Sequence, residues 1–210
     1  MADETRIQVL KEPERNPETG SFMWLFRSGE DGLPPIVLYH YTETRARYNA
    51  VDFLDGFSDG YLETDGYQGY NTLLGIRRCS CWAHTRRYFI DAVPKGKQYD
   101  YSKPAVQGVQ FCSKLFEYER RSQNKKHSFE QRKAYRLEKE KPILDAFWNW
   151  LDEQKPRKGS RFETAVKYSQ NRKDTLMTYL VEHRPSEDMF DEQLEALTPW
   201  SKEVQNVCKN

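Results

Sequence analysis

Residues 61–70, YLETDGYQGY, decide how this chain is read. Gly60 to Thr64 has the composition of a strand, and that strand delivers Asp65, followed at once by Gly66 and an aromatic-rich turn. A second acid, Asp3 in DETRIQVL, opens another strand-like segment. An acid held at a strand end, with a second brought beside it by sheet pairing, suits magnesium in phosphoryl-transfer chemistry. That ion prefers hard oxygen ligands and keeps positions open for substrate oxygens. The plainer reading, which leads on spacing alone, is that Asp65 starts a turn, because Asp-Gly is a common turn pair.

Working outward, the residues before this stretch read as an antiparallel meander. Ile7 to Leu10 is the remnant of a strand, and residues 16–20 (NPETG) supply a turn. Phe22 to Arg27 (FMWLFR) is a second strand, Gly29 to Pro35 a turn containing Asp31-Gly32, and Ile36 to Tyr41 a third strand. The period then changes. Thr44 to Phe57 places Ala46, Ala50, Phe53, Leu54 and Phe57 on one helical face. After Asp65, Tyr67 to Leu74 reads as a short helix and Ile76 to Ser80 as a fifth strand. From Cys81 the chain is helical again, with Trp82, Phe89 and Val93 at core spacing. The order β-β-β-α-β-α-β-α is that of a ribonuclease H-like sheet, three antiparallel strands plus parallel ones. In such a sheet the first strand lies beside the fourth, which would bring Asp3 to Asp65.

The second half is of different material. Residues 104–154 are helical and highly charged, with Val109, Cys112 and Phe116 on one amphipathic face and Ile143, Phe147, Trp150 and Leu151 on another. Pro142 marks a helix start or kink. RRSQNKKHSFEQRK (residues 120–133) reads as a polar link, 156–160 as a basic linker, and Phe162 to Leu180 as one further helix. The predicted organisation is a core over 1–103, a helical insertion over 104–158 and a C-terminal helical segment over 159–210.

Bulk properties set limits. The 210 residues suffice for one substantial domain or a domain with an insertion. Charged residues make up 31% and hydrophobic ones 37%, while 14% aromatic content argues for a packed core. A net charge of +1 gives no global pull toward nucleic acid, so any such binding needs local basic patches. No apolar run approaches the roughly 20 residues that span a bilayer. No signal peptide opens the chain, and four cysteines at this length do not suggest a disulfide framework, so a cytoplasmic location is expected.

DETRIQVL, SFMWLFRSG, YLETDGYQGYN and CWAHTRRYF, in that order, resemble successive landmarks of the DDE transposases of the insertion-sequence 66 family. KPILDAFWNWL and AVKYSQNRKDTLMTYL resemble that family's later region, so the likeness runs from about Asp3 to Leu180. The resemblance implies a ribonuclease H-like catalytic core interrupted by a helical insertion. It also implies Mg2+ (or Mn2+) held by two Asp and one Glu, and cleavage and joining of DNA at the ends of a mobile element. DNA ends and target, a homo-oligomer and accessory transposition proteins are the implied partners, with nucleoid association when bound to DNA. Asp3 stands at the family's first catalytic Asp, within DET, and Asp65 at the second, within TDGY. The third acid of the family lies in a pattern like Asn-Asn-x-x-Glu-x-x-Ile-Arg-Pro. Here the nearest echo is Glu195 before ALTPW, one residue out of place, with Thr198 where Arg is expected and the Asn pair absent. Glu192 is the next candidate, and both also read as solvated charges on a short helix.

The family carries a DNA-binding and coiled-coil region ahead of this core, whereas Met1 lies two residues before Asp3. On that basis the first strand is expected to lack its leading half, with reduced stability and weak recognition of element ends. The divergent tail after Leu180 suggests a frameshifted or decayed element, and the alternative function is a truncated, non-catalytic remnant that at most binds DNA or an intact transposase.

His84, Arg86 and Arg87 in CWAHTRRYF read as contacts to DNA phosphates, or equally as the wet side of a helix whose Trp82 and Phe89 fill the core. Cys79, Cys81 and His84 supply only three zinc ligands at unusual spacing, so zinc is disfavoured. The basic runs at Arg120-Arg121, Lys125-Lys126-His127 and Arg132-Lys133 are diluted by Glu117, Glu119, Glu130, Glu138 and Glu140. That mixture favours a solvated helical pair over a track for a DNA backbone.

Overall fold

The computed structural model describes residues 1–29, 34–57 and 60–180, which divide into two compact units, Met1–Cys79 and the residues from Ser80 onward. The chain is of mixed α/β class. Strands β1 (Ala2–Gln8), β2 (Gly20–Arg27) and β3 (Val37–Thr42) form an antiparallel sheet in the order β1-β2-β3. Helix α1 (Arg47–Phe53) follows, and β4 (Tyr61–Thr64) and β5 (Arg77–Ser80) make a two-stranded parallel sheet. β1 packs alongside β4, although no regular ladder joins the two sheets among the described residues.

Register explains which side chains are inside. Trp24 pairs with Glu4 and His40, and Phe26 with Ala2 and Leu38. Because successive side chains point to opposite faces, Ala2, Glu4, Trp24 and Phe26 share one face and Asp3, Thr5, Met23 and Leu25 the other. The first face is the buried one: Ala2, Trp24 and Phe26 join Ala50, Leu62 and Tyr70 in one core. Phe26 stacks on Phe53 of α1 with centroids 4.0 Å apart. Trp24 Nε1 donates to Thr42 Oγ1 at 2.7 Å, which satisfies the indole N–H inside the core.

Several boundaries differ from the sequence expectation. β1 is not the remnant 7–10: it starts at Ala2 and pairs with β2 along its whole length, from Ala2↔Phe26 to Gln8↔Gly20. The Met1 ammonium donates to the Arg27 carbonyl at 2.7 Å, and Arg27 N donates back to the Met1 carbonyl at 2.9 Å. The expected helix 44–57 is cut to α1, which is followed by Gly56 in a left-handed conformation (φ 79°), and Phe57 is left exposed. Tyr67 to Leu74 contributes only a 3-10 turn, Gln68–Thr72. The hairpin between β2 and β3 closes through Ser28 N to the Ile36 carbonyl, while the Asp31-Gly32 turn lies outside the described residues.

The second unit is helical: α2 (Trp82–Ala92), α3 (Pro104–Asn124), α4 (Phe129–Tyr135), α5 (Lys141–Asp152), α6 (Arg161–Gln170) and α7 (Lys173–Met177). Ser128 opens α4 with a reciprocal capping box to Gln131. Ser160 caps α6 by accepting from Glu163 N at 3.0 Å. The single helix expected over 162–180 is broken at Asn171-Arg172 into α6, α7 and a terminal 3-10 turn. Trp82, Phe89, Phe116, Leu144, Phe147, Trp148 and Leu151 fill the core. α2 and α3 approach closely at Gly108, where a Cβ would meet the Phe89 ring at 2.4 Å.

The charged helices are not uniformly solvated. Glu119, Arg132, Arg136 and Glu140 are buried, which corrects the reading of Glu119 and Glu140 as surface charges. Arg136 forks onto Glu119, Nε to Oε1 at 2.5 Å and Nη2 to Oε2 at 2.8 Å, and its Nη1 donates to the Tyr179 carbonyl at 2.9 Å. Tyr179 Oη donates to Glu140 Oε2 at 2.7 Å. A π-helical turn, Arg136–Glu140, carries two of these residues between α4 and α5. No helix among the described residues is long and apolar enough to cross a membrane.

Candidate active site

The site lies wholly within the first unit, at the end of β4. Leu62 and Thr64 are buried and fix the strand, and Arg78 Nη2 donates to Thr64 Oγ1 at 3.0 Å to brace its end. Asp65 then emerges half-buried. Its Oδ1 accepts from Tyr67 N at 2.7 Å, so the turn role read from Asp-Gly is real. Its Oδ2 lies 3.6 Å from Arg45 Nη2, so the same carboxylate also faces a cation.

The residue that β1 turns toward this cation is Glu4, which the sequence reading did not single out. Glu4 is on the core face of β1, and its side chain is fully buried. Arg45 Nε donates to Glu4 Oε1 at 2.8 Å, with Nη2 on the same oxygen. Tyr70 Oη donates to Glu4 Oε2 at 2.5 Å. The Arg45 guanidinium rests on the Tyr67 ring, 4.1 Å from its centroid, and Tyr67 Oη donates to the Arg45 carbonyl. One turn, Asp65 to Tyr70, therefore holds both acid and cation.

Asp3 is half-buried on the other face of β1, where its Oδ1 accepts from Glu4 N at 2.9 Å. Its charge is nonetheless felt at the same place. The Tyr70 phenol is pushed far above its ordinary range by burial, then by the charge of Glu4, and further by Asp3 and Asp65. Tyr70 is thus a neutral donor to Glu4. The Glu4 carboxyl is raised by burial and by Asp65, against the lowering effect of its bonds from Tyr70 and Arg45. Burial alone would weaken the charge of Arg45, but the bonds and charge of Glu4, with Asp65, raise its pKa. The signal that could have found Glu4 is strand alternation: Phe22, Trp24 and Phe26 mark the inner face of β2, and whichever of Asp3 and Glu4 pairs with Trp24 goes inside.

Asp3 and Asp65 each offer hard carboxylate oxygens of the kind a divalent cation takes, Asp3 on the face of β1 opposite Glu4 and Asp65 just past the end of β4. Among the described residues no group of three or more His, Cys, Asp or Glu side chains is placed to hold a metal ion. Glu195 and Glu192 lie outside the described residues.

The predicted DNA contacts sit on α2 in the second unit. Arg87 is exposed and His84 half-buried. Arg86 is engaged within its own unit: Nε donates to Ser113 Oγ at 3.1 Å, and its guanidinium carbon lies 5.9 Å from the Phe116 ring centroid.

Comparison with known proteins gives this geometry its family. Residues 1–188 match the transposase IS66 family. An uncharacterized protein, y4jD, of Sinorhizobium fredii (strain NBRC 101917 / NGR234) is 29% identical over 157 residues, covering 69% of this chain and 29% of the relative. A second uncharacterized protein of that strain, y4hP, is 28% identical over 137 residues, covering 58% of this chain and 24% of the relative. The chain spans less than a third of the length of either. No solved structure matches it. With every described residue inside the family match, the chain belongs to the IS66 transposase family.

Proposed function

We propose that this chain is the catalytic core of a transposase, cutting DNA strands at the ends of an insertion sequence and joining them to a target. The observation that carries this reading is the charged cluster where β1 runs beside β4, in which Glu4 accepts from the Tyr70 hydroxyl and Arg45 links Glu4 to Asp65. The strand sequence β3-β2-β1, with β4 beside β1 and β5 after it, supports a ribonuclease H-like sheet.

Asp3 and Asp65 would hold Mg2+ or Mn2+, with Glu195 as the proposed third ligand. The bound ions supply Lewis-acid activation of an attacking water or 3′-hydroxyl and neutralise charge on the leaving oxygen. The chain's own part is positional. β4 and the bond from Tyr67 N fix the carboxylate of Asp65, and the ladder to β2 with the bond from Glu4 N fixes Asp3. Tyr70, held neutral, donates into the cluster and keeps the Glu4 carboxyl turned inward. No covalent protein intermediate is required, because an activated oxygen attacks phosphorus directly. His84, Arg86 and Arg87 are proposed to meet DNA phosphates, Arg87 most directly because it is exposed. A homo-oligomer and accessory proteins belong to the same proposal.

The test is a Mg2+ or Mn2+ titration of the purified chain beside Asp65→Asn, with DNA carrying element ends present. Asp65-dependent ion binding with strand nicking is the expected result. Ion binding without nicking would support a non-catalytic remnant, and no difference between the two proteins would remove Asp65 from the site.

A further inference from the structure

Arg45 faces the carboxylate oxygen of Asp65 that does not bond the turn. We infer that Arg45 is a resident cation of the acid cluster, anchored on Glu4 and reaching Asp65, that competes with divalent ions and sets the concentration at which they bind. The inference rests on the proposed metal-dependent reading of this site and adds a regulator to it.

Three observations carry it. First, Arg45 is held, not loosely placed: Glu4 accepts from its Nε at 2.8 Å, the Tyr67 ring lies under its guanidinium at 4.1 Å, and Tyr67 Oη bonds its carbonyl. Second, the hold leaves the guanidinium 3.6 Å from Asp65 Oδ2, the oxygen not used by the turn. That oxygen is the one Asp65 has to offer an ion, and a cation already faces it. Third, the anchor is buried but the head is not. The Glu4 side chain is 0% exposed and that of Arg45 42%, so Arg45 can swing outward while Glu4 stays, fixed by Tyr70. Glu4 is then a positioning residue, acting on the site through Arg45.

An arginine suits this task better than a lysine, because its planar fork bonds Glu4, stacks on Tyr67 and still presents an edge to Asp65. Two cations cannot share one carboxylate oxygen without repulsion, so ion binding and the Arg45–Asp65 approach oppose each other. Asp65 Oδ2 stays faced by the guanidinium until enough metal is present to replace it.

The experiment measures Mn2+ binding alone, without DNA, by calorimetry or by electron paramagnetic resonance of free Mn2+, at fixed ionic strength. The proteins are the wild-type chain, R45Q, R45M, R45K and D65N, each first shown to be folded by a metal-free thermal melt. R45Q and R45M, which remove the charge in two different ways, are expected to tighten binding by about threefold or more, on the scale of a partly exposed ion pair. R45K keeps the charge and is expected to stay near wild type. Binding by R45Q and R45M that equals or falls below wild type overturns the inference while leaving Asp65 as a ligand. Binding that is absent from every protein, or unchanged in D65N, overturns the metal-site reading itself and the inference with it.

Discussion

Glu140 is a carboxyl group with 0% exposure that feels the charge of a second buried carboxylate, Glu119. Burying two like charges near one another is costly, which favours a proton on one of them. Burial first, and the charge of Glu119 next, push Glu140 up to about 9, which favours its protonated form at neutral pH. Arg136 then balances one charge, and the buried set is neutral. The consequence for stability has a definite sign. The folded pKa lies above the ordinary value of 4.5, so the stabilising contribution is complete below that value. It declines as pH rises from there and is lost through about pH 9. Glu140→Gln, which keeps a neutral side chain of the same shape, is expected to flatten this decline. Urea midpoints of both proteins between pH 5 and pH 9.5 (about the window set by those two values) check it, and parallel slopes would refute it. The partner test is Arg136→Met. Removing one member of a buried pair leaves Glu119 charged and uncompensated, at an expected cost of about 3–5 kcal/mol. Equilibrium denaturation against Glu119→Gln/Arg136→Met shows whether removing both members recovers part of that loss.

Between elements, the packing of α2 on α3 depends on a missing side chain. Alanine in place of Gly108 would improve helix propensity by about 1 kcal/mol. The added Cβ would sit 2.4 Å from the fully buried Phe89 ring, and overpacking of a filled core costs about 1–3 kcal/mol. The clash wins: Gly108→Ala is expected to lower the thermal midpoint, and Gly108→Ala/Phe89→Leu to recover part of it. A stabilised single variant would mean that the helices separate without penalty. The same contrast between local signal and packing explains what the sequence revealed. Strands β2 to β5 were legible because a two-residue period and flanking turns are written locally, and so was Asp65 at the end of β4. β1 was misjudged because its pairing with β2 is visible only in the register. Asp3 drew notice as the first acid of DETRIQVL, yet register turns Glu4 inward, toward Arg45, which lies 41 positions along the chain. Glu119, Arg136 and Glu140 read as solvated for a related reason. Their burial comes from α3, the π-helical turn and the terminal 3-10 turn meeting at Tyr179, and no helical period of charged residues announces it.

At the scale of the whole chain, the two units are unequally supported. Among the described residues the sheet unit buries six apolar side chains in its core, whereas the helical unit buries sixteen. Several of the six are small or carry polar atoms: Ala2 and Ala50 bring little area, and Tyr70 keeps a hydroxyl that must stay bonded to Glu4. The sheet unit also encloses the charged cluster of Glu4, Arg45 and Asp65, which satisfies its members without adding apolar burial. Marginal stability makes such differences decisive, so unfolding is expected in two steps, the sheet unit first. Trp24 is the one tryptophan of residues 1–79, Trp82, Trp148 and Trp150 sit in the helical unit, and Trp200, outside the described residues, is replaced by Phe in every protein compared. The fluorescence change lost in Trp24→Phe should therefore have a lower urea midpoint than the change that remains, with far-UV circular dichroism spanning both. Mn2+ should raise only the earlier midpoint if it binds at Asp65, because a ligand stabilises the unit that holds it. Coincident transitions, unmoved by Mn2+, would mean that the two cores melt together and that the acid cluster contributes no ion-binding energy to the sheet.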